Sequence, residues 1–177
     1  DQIKEARKNY TLVRQSTQDI RLVSDATFNE GGLLERVADN PEGLVEHYYT
    51  FDKNKDETLQ QKEFDASGLF QDVSFGDYDL NQDKGLDYGE LFEIASMTTY
   101  AEIEKVFRAY NEKYSSAEGA RVSQATSKIG FACEKQGRPS EMLELYYQDI
   151  KKYGNDPRSV GVDEILKKYS SKYWRRF

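Results

Sequence analysis

The chain reads as all-α: two short helix–loop–helix units, then antiparallel helical hairpins. Three observations carry this reading. Apolar residues recur at steps of three and four along most of the 177 residues, the period of a helix buried on one face. Only three Pro and twelve Gly occur, too few for a loop-rich all-β chain. Between residues 48 and 94 the helical period gives way to two acidic twelve-residue loops of one design.

Composition bounds the alternatives. Charged residues make up 32% and hydrophobic residues 37%, which suits a folded domain with one sizeable core or two small ones. Thirteen Tyr and nine Phe point to cores built on aromatic stripes. Charge is uneven: residues 1–98 hold 21 acids and 10 bases, residues 99–177 hold 11 acids and 15 bases. The basic excess is mild and spread out, which argues against nucleic acid as a partner. No run of 18 apolar residues occurs, so no membrane span is expected. The single cysteine, Cys133 in GFACEKQG, rules out an intrachain disulfide and reads as a small buried helix residue. It leaves the redox compartment open. The start at Asp1, without Met or a signal segment, fits a mature or trimmed protein.

In chain order, residues 1–24 fit a helix, with Ile3, Ala6, Tyr10, Val13, Thr17 and Ile20 at alternating steps of three and four. A strand pair through TLVRQS and DIRLVS is the rival, since Thr and Val favour strands. Asn29-Glu30-Gly31-Gly32 reads as a break, and a short helix follows from Leu33 to Ala38. Asn40-Pro41 reads as a cap followed by Pro in the first helical place. A helix is expected over Leu69–Tyr78 and another from Tyr88 to Met97, with Thr98-Thr99 as a boundary and Thr99 capping the next. The expected segments are thus 1–40, 41–98 and 99–177.

The loops carry the chemistry. The first is DKNKDETLQQKE, Asp52 to Glu63, and the second is DLNQDKGLDYGE, Asp79 to Glu90. Side-chain oxygens fall at the first, third, fifth and ninth places: Asp52, Asn54, Asp56 and Gln60, then Asp79, Asn81, Asp83 and Asp87. An aliphatic residue takes the eighth place and Glu the twelfth, Glu63 and Glu90. Aromatic residues sit four places and one place before each loop: Tyr48 and Phe51, Phe75 and Tyr78. A hard divalent cation needs roughly six to eight oxygens, more than one side chain can supply, so a loop has to wrap it.

This schedule resembles the EF-hand calcium-binding family. The resemblance implies Ca2+ held by Asp52, Asn54, Asp56, the Thr58 carbonyl and Glu63 in one loop. In the other it implies Asp79, Asn81, Asp83, the Gly85 carbonyl and Glu90. Gln60 would act through water, and Asp87 adds a fourth carboxylate that makes the second loop the stronger site. Leu59 and Leu86 would meet in a short strand pairing between loops. Two features depart from the family pattern. The sixth place, ordinarily Gly, is Glu57 or Lys84, which implies weaker binding or a distorted turn, with Gly85 absorbing part of the strain. The loops start only 27 residues apart, so the pair is similar to the compact ones of bacterial extracytoplasmic proteins.

From Tyr100 the helical period is continuous. Ile103, Val106, Phe107, Tyr110 and Tyr114 form one stripe, and Val122, Ala125, Ile129 and Ala132 a second. Met142, Tyr146, Ile150 and Tyr153 form a third, and Val162, Ile165, Leu166, Tyr169 and Tyr173 a fourth. Ser115-Ser116, Gly137-Arg138-Pro139 and Gly154 to Pro157 separate them, so antiparallel hairpins are expected. FRAYNEKYSSAEGARV and YYQDIKKYGNDPRSVGV are two versions of one unit. Together with Gly130, Ala132 and Gly137 they resemble tetratricopeptide-type repeats, which implies a protein or peptide partner on the repeat.

His47, the only histidine, lies in EHYYTF and reads as packing beside aromatics, not as a catalytic base. Trp174 in SKYWRRF reads as packing inward on a terminal helix, with an anchor on a partner or membrane surface as the alternative. No glycine-rich phosphate loop or nucleophile elbow occurs. The expected function is a non-catalytic calcium-binding interaction module, calcium being mainly structural and locking the hands against the repeat. Weak sites would suit a periplasm or cell exterior. The alternatives are a metal-free helical-repeat adaptor with remnant loops, or an accessory domain of a larger protein.

Overall fold

The computed structural model describes residues 2–68 and 73–153, with side chains from residue 5. Among them are eight helices and one two-stranded antiparallel sheet, so the protein is mostly helical. The helices are α1 (Gln2–Ser16), α2 (Ile20–Asp39), α3 (Glu42–Tyr49), α4 (Gln61–Ser67), α5 (Phe75–Tyr78), α6 (Tyr88–Tyr114), α7 (Val122–Lys135) and α8 (Pro139–Tyr153). The strands are β1 (Leu59–Gln60) and β2 (Gly85–Leu86). The fourth apolar stripe, the stop at Gly154 to Pro157 and Trp174 lie outside the described residues, as do residues 69–72 of the helix expected over Leu69–Tyr78. Val73 and Ser74 are not helical, with Ser74 extended, so that expectation is corrected to a single turn from Phe75.

The chain forms two compact units. One is Arg36–Thr99, and the other joins Asp1–Glu35 to the chain from Tyr100 onward. In the first unit, Val45, Tyr48, Leu59, Phe64, Phe75, Leu86, Leu91, Ile94 and Ala95 form one apolar core. Leu59 pairs with Leu86 across the sheet, and neither has any exposure. The aromatic residues that flank the loops meet there, with Phe64 edge-on to Phe75 at 5.6 Å. Burial of each such side chain contributes on the order of 2 kcal/mol.

In the second unit, Phe28 of α2 packs edge-on against Phe107 and Tyr110 of α6, at 5.2 and 5.5 Å. The buried Tyr110 hydroxyl is satisfied twice, by Ser24 at 2.8 Å and the Arg121 N–H at 3.0 Å. The α7–α8 hairpin buries Ala125, Ile129 and Ala132 with Met142 and Tyr146. The Tyr146 hydroxyl donates to the Ser127 carbonyl at 3.0 Å. Ser123 Oγ donates to the buried carboxylate of Asp149, whose protonated form burial favours.

Four further local expectations are corrected, each for an identifiable reason. The first helix stops at Ser16 and does not continue to residue 24. Thr17 Oγ1 accepts the Asp19 N–H at 3.0 Å and Asp19 Oδ1 accepts the Arg21 N–H at 2.9 Å, so short polar side chains end one helix and cap the next. The expected break at Asn29–Gly32 is absent, because α2 runs straight through it. At Gly31 a Cβ would come within 2.6 Å of the Phe107 ring, so this glycine marks a close approach and not a turn. Pro41 stands as N-cap of α3, with its carbonyl accepting from Leu44 and Val45, and Asn40 makes no cap bond. The compact units do divide after Thr99, yet no helix ends or begins there. Thr98 Oγ1 donates to the Ile94 carbonyl at 2.8 Å and Thr99 Oγ1 to that of Ala95 at 2.6 Å. Their hydroxyls are spent inside the helix, so α6 continues for 27 residues.

The neighbouring glycines of α2 give opposite expectations. A Cβ added at Gly32 would meet nothing within 4 Å. Gly32→Ala gains helix propensity and should stabilise by about 0.5–1 kcal/mol. Gly31→Ala drives a methyl into the fully buried Phe107 ring and should destabilise by about 1–3 kcal/mol despite the same propensity gain. Urea unfolding of the two variants checks this: equal midpoints would contradict it.

Candidate metal centre

The two acidic loops fold on one plan, with small differences in partner. Asp52 Oδ1 accepts the Lys55 N–H at 2.8 Å and Oδ2 the Glu57 N–H at 3.0 Å. Asp79 Oδ1 accepts the Asp83 N–H at 3.1 Å and Oδ2 the Lys84 N–H at 3.1 Å. The first aspartate of each loop thus ties down the backbone that follows it. Asn54 and Asn81 accept the N–H groups of Asp56 and Asp83, at 3.2 and 2.9 Å. Their Nδ2 groups donate to the same two carboxylates, at 2.7 and 2.9 Å. Asp56 Oδ1 accepts the Thr58 N–H and hydroxyl, at 3.1 and 2.8 Å, and Asp83 Oδ1 accepts the Gly85 N–H at 2.9 Å. The Thr58 and Asn54 hydrogen bonds hold the Asp56 carboxyl below the usual carboxylate range, so it stays ionised.

The twelfth residue closes each loop. Glu63 Oε1 accepts the Lys53 N–H at 2.8 Å, and Oε2 the Gln60 N–H at 3.1 Å. Glu90 Oε1 accepts the Leu80 N–H at 2.7 Å, and Oε2 the Asp87 N–H at 3.0 Å. One carboxylate therefore spans the second and ninth places of its own loop. The same glutamate belongs to a reciprocal helix cap. Gln60 and Glu63 form a capping box at the start of α4. Asp87 Oδ1 accepts the Glu90 N–H at 3.0 Å, which makes the equivalent exchange at the start of α6. The sequence presents Gln60 and Asp87 as ninth-position donors and does not announce this second duty. The spacing of a polar residue three places before Glu is the signal that points to it.

The sixth places keep the left-handed turn although neither is glycine. Glu57 has φ 64° and Lys84 φ 73°, so the turn is undistorted and the strain falls on these two residues. The fourth places are left-handed as well, with Lys55 at φ 60° and Gln82 at φ 59°. Gly85 does not absorb the strain: it lies in β2, and its φ is not in the left-handed region. A Cβ there would meet Thr58 at 2.9 Å, so Gly85 lets the two loops approach.

The schedule of each loop offers oxygen donors only, at Asp52, Asn54, Asp56, Gln60 and Glu63, and at Asp79, Asn81, Asp83, Asp87 and Glu90, and in neither loop do three carboxylates lie within 4.8 Å of one another. Oxygen-only sets suit hard cations such as calcium or magnesium and not soft metals. Glu90 is 6% exposed, the more enclosed of the two closing glutamates.

Among the described residues, one group of three acidic, Cys or His side chains has its ligand atoms within 4.8 Å of one another: Glu104, Cys133 and Glu141, unforeseen from the sequence. Its carboxylates are already committed. Arg108 donates to Glu104 Oε1 at 2.7 Å and to Glu141 Oε1 at 2.5 Å. Arg138 donates to the remaining oxygen of each. Burial works against the charged form of Glu104, yet the Arg138, Arg108 and Gln136 bonds outweigh it and hold the carboxyl low. Cys133 is fully buried, and burial pushes its thiol up, which disfavours the nucleophilic thiolate. The cluster is an ion-pair knot between α6, α7 and α8. His47 is exposed on α3, edge-on to Phe51 at 5.8 Å. Among the described residues no helix is long and apolar enough to cross a membrane.

Comparison with protein-family models, with curated proteins and with solved structures gives no match to this chain.

The left-handed sixth places supply a direct test of loop strain. Glu57→Gly and Lys84→Gly relieve a cost of about 1 kcal/mol each, offset in part by the entropy of an added glycine. Each should raise stability by up to about 0.5 kcal/mol in metal-free buffer, read as a higher denaturation midpoint. A loss of more than about 1 kcal/mol in either would mean that the side chain itself holds the turn.

Proposed function

We propose that residues 52–63 and 79–90 are paired EF-hand-type calcium loops of a non-catalytic interaction module. The observation that carries this is the closing glutamate. In both loops a single carboxylate reaches back ten places to the start of its loop, while Asp, Asn and Asp side chains fold the intervening backbone around it. Two loops with the same oxygen schedule, the same pair of left-handed places and one shared strand pairing are hard to explain as chance acidic turns. Each carboxylate oxygen has two lone-pair directions, so both oxygens of Glu63 and Oε2 of Glu90 can keep their N–H partners and still face a cation, whereas Glu90 Oε1, which accepts from Leu80 and Asn81, would have to release one. A bound ion would draw in the carboxylates of each loop and neutralise them.

The ligands would be Asp52, Asn54, Asp56, the Thr58 carbonyl and Glu63, with Gln60 through water. In the second loop they would be Asp79, Asn81, Asp83, the Gly85 carbonyl and Glu90, with Asp87 beside them. The second loop is read as the tighter site, for its extra carboxylate and its enclosed Glu90. Calcium would act structurally, since loops already shaped by internal hydrogen bonds have little further to move. The strained sixth places weaken binding, which suits an extracytoplasmic setting rich in calcium.

The α7–α8 hairpin is read as a tetratricopeptide-like scaffold for a protein or peptide partner. The close approach of Gly130 to the Tyr146 ring supports this, since small residues let paired helices of such repeats come together.

Calorimetric titration of chelator-stripped protein tests the metal reading, with Glu90→Gln alongside. Two binding events are expected, with the tighter one weakened at least about tenfold in the variant. Calcium at a hundred times its dissociation constant should add about 2.7 kcal/mol of stability. No heat and no change in melting temperature at millimolar calcium would overturn the proposal and leave the metal-free adaptor.

A further inference from the structure

We propose that a cleft beside the loops captures an arginine side chain of a partner segment. Tyr49 ends α3 and Tyr88 begins α6. Their rings lie 18° from parallel with centroids 6.4 Å apart. A cleft of about 670 Å³ opens at this pair, lined also by Asp52, Lys55, Glu57 and Asp87. Three carboxylates against one ammonium make it a site for a cation. The tyrosines make it a site for a cation with a flat or apolar body, since an aromatic face attracts cations through its quadrupole. Tyr88 is 47% exposed and also packs against Phe92 at 6.4 Å, so part of its ring is open to the cleft.

The side chain that matches both halves is arginine. Its guanidinium is planar and weakly hydrated, so it stacks on a tyrosine face at little desolvation cost. Its fork of N–H groups matches a carboxylate. Both oxygens of Asp52 already accept backbone N–H groups, and one of Asp87 does. Glu57 is exposed and lines the same cleft, so it is the natural acceptor for the fork. A lysine ammonium can also sit over a ring, as Lys113 does over Tyr114, but it is compact and strongly hydrated and lacks the planar face and the fork. The volume exceeds that of one side chain, which leaves room for the backbone on either side of the arginine. The occupant is therefore an arginine within a peptide segment.

The test uses the whole protein in chelator, so that a failure bears on the cleft and leaves the calcium reading to its own titration. Acetyl-Gly-Arg-Gly-amide is titrated by two-dimensional amide NMR, with acetyl-Gly-Lys-Gly-amide as comparison. Saturable shifts are expected at Tyr49, Glu57 and Tyr88, with affinity on the order of millimolar. The lysine peptide should bind roughly two- to fivefold more weakly, and Tyr88→Leu and Glu57→Gln should each weaken the arginine peptide by a similar factor. Glu57→Gln alters an exposed residue, so it reads binding even if Tyr88→Leu perturbs the fold. Tyr147→Leu, an exposed ring on α8, should leave the affinity unchanged. Equal affinities for the two peptides, or an unaltered affinity in Glu57→Gln, would overturn the assignment.

Discussion

The carboxylate of the twelfth loop residue is the interaction on which the acidic unit depends. Glu63 and Glu90 each join three things: the first N–H groups of a loop, the N-cap of the following helix, and the start of that helix. Remove the carboxylate and the loop loses its closure at the same moment as the helix loses its cap. The arrangement explains why a chain segment this polar holds a fixed shape. Backbone N–H groups in a tight turn need acceptors, and side-chain oxygens supply them within the same twelve residues.

The polar loops would not stay paired by themselves. Leu59 and Leu86 carry the loops into one core, where the flanking aromatic residues cover them. Gly85 permits the close approach that this pairing requires. The cost is a left-handed backbone at four non-glycine residues, on the order of 1–2 kcal/mol apiece by general sterics. Strain of this kind persists only where the surroundings over-determine it. Here the loop side chains do so: Asp52 and Asp79 accept the N–H groups of Lys55, Glu57 and Lys84, and Asn54, Asp56 and Asp83 accept those of the residues that follow. The helical unit solves its polar problem differently. Two arginines from α6 and the α7–α8 turn neutralise two glutamates over the buried Cys133 thiol. Such networks fix which helix faces meet more than they add to stability.

Features set by local geometry are legible in the sequence. The oxygen schedule of the loops, the Leu59–Leu86 pairing and the stops at Ser115 and Gly137 all lie within a few dozen residues of what determines them. The helical character of the chain follows from apolar periodicity. Errors arise where the same residue types serve two purposes. Thr99 reads as a cap, yet its hydroxyl bonds back to Ala95 within a continuing helix. Gly31-Gly32 reads as a turn, yet Gly31 clears space for Phe107, 76 residues on in the chain and invisible to any local window. Thr17 falls in step with the apolar period and so reads as helix, while its actual role and that of Asp19 rest on one hydrogen bond each. The Glu104–Arg108–Arg138–Glu141 network is not legible at all, because it depends on the register between three helices. Its charges look from the sequence like ordinary solvated surface.

The most direct measurement is an amide NMR titration of chelator-stripped protein with calcium, following Lys55, Glu57, Lys84 and Gly85. Their N–H groups are tied to Asp52, Asp79 and Asp83, the side chains that would turn toward the ion. These amides should shift in both loops and saturate near two ions per chain, with Gly85 and Lys84 moving at the lower calcium concentration. Shifts confined to exposed acidic residues elsewhere, with the loop amides unmoved at millimolar calcium, would contradict it.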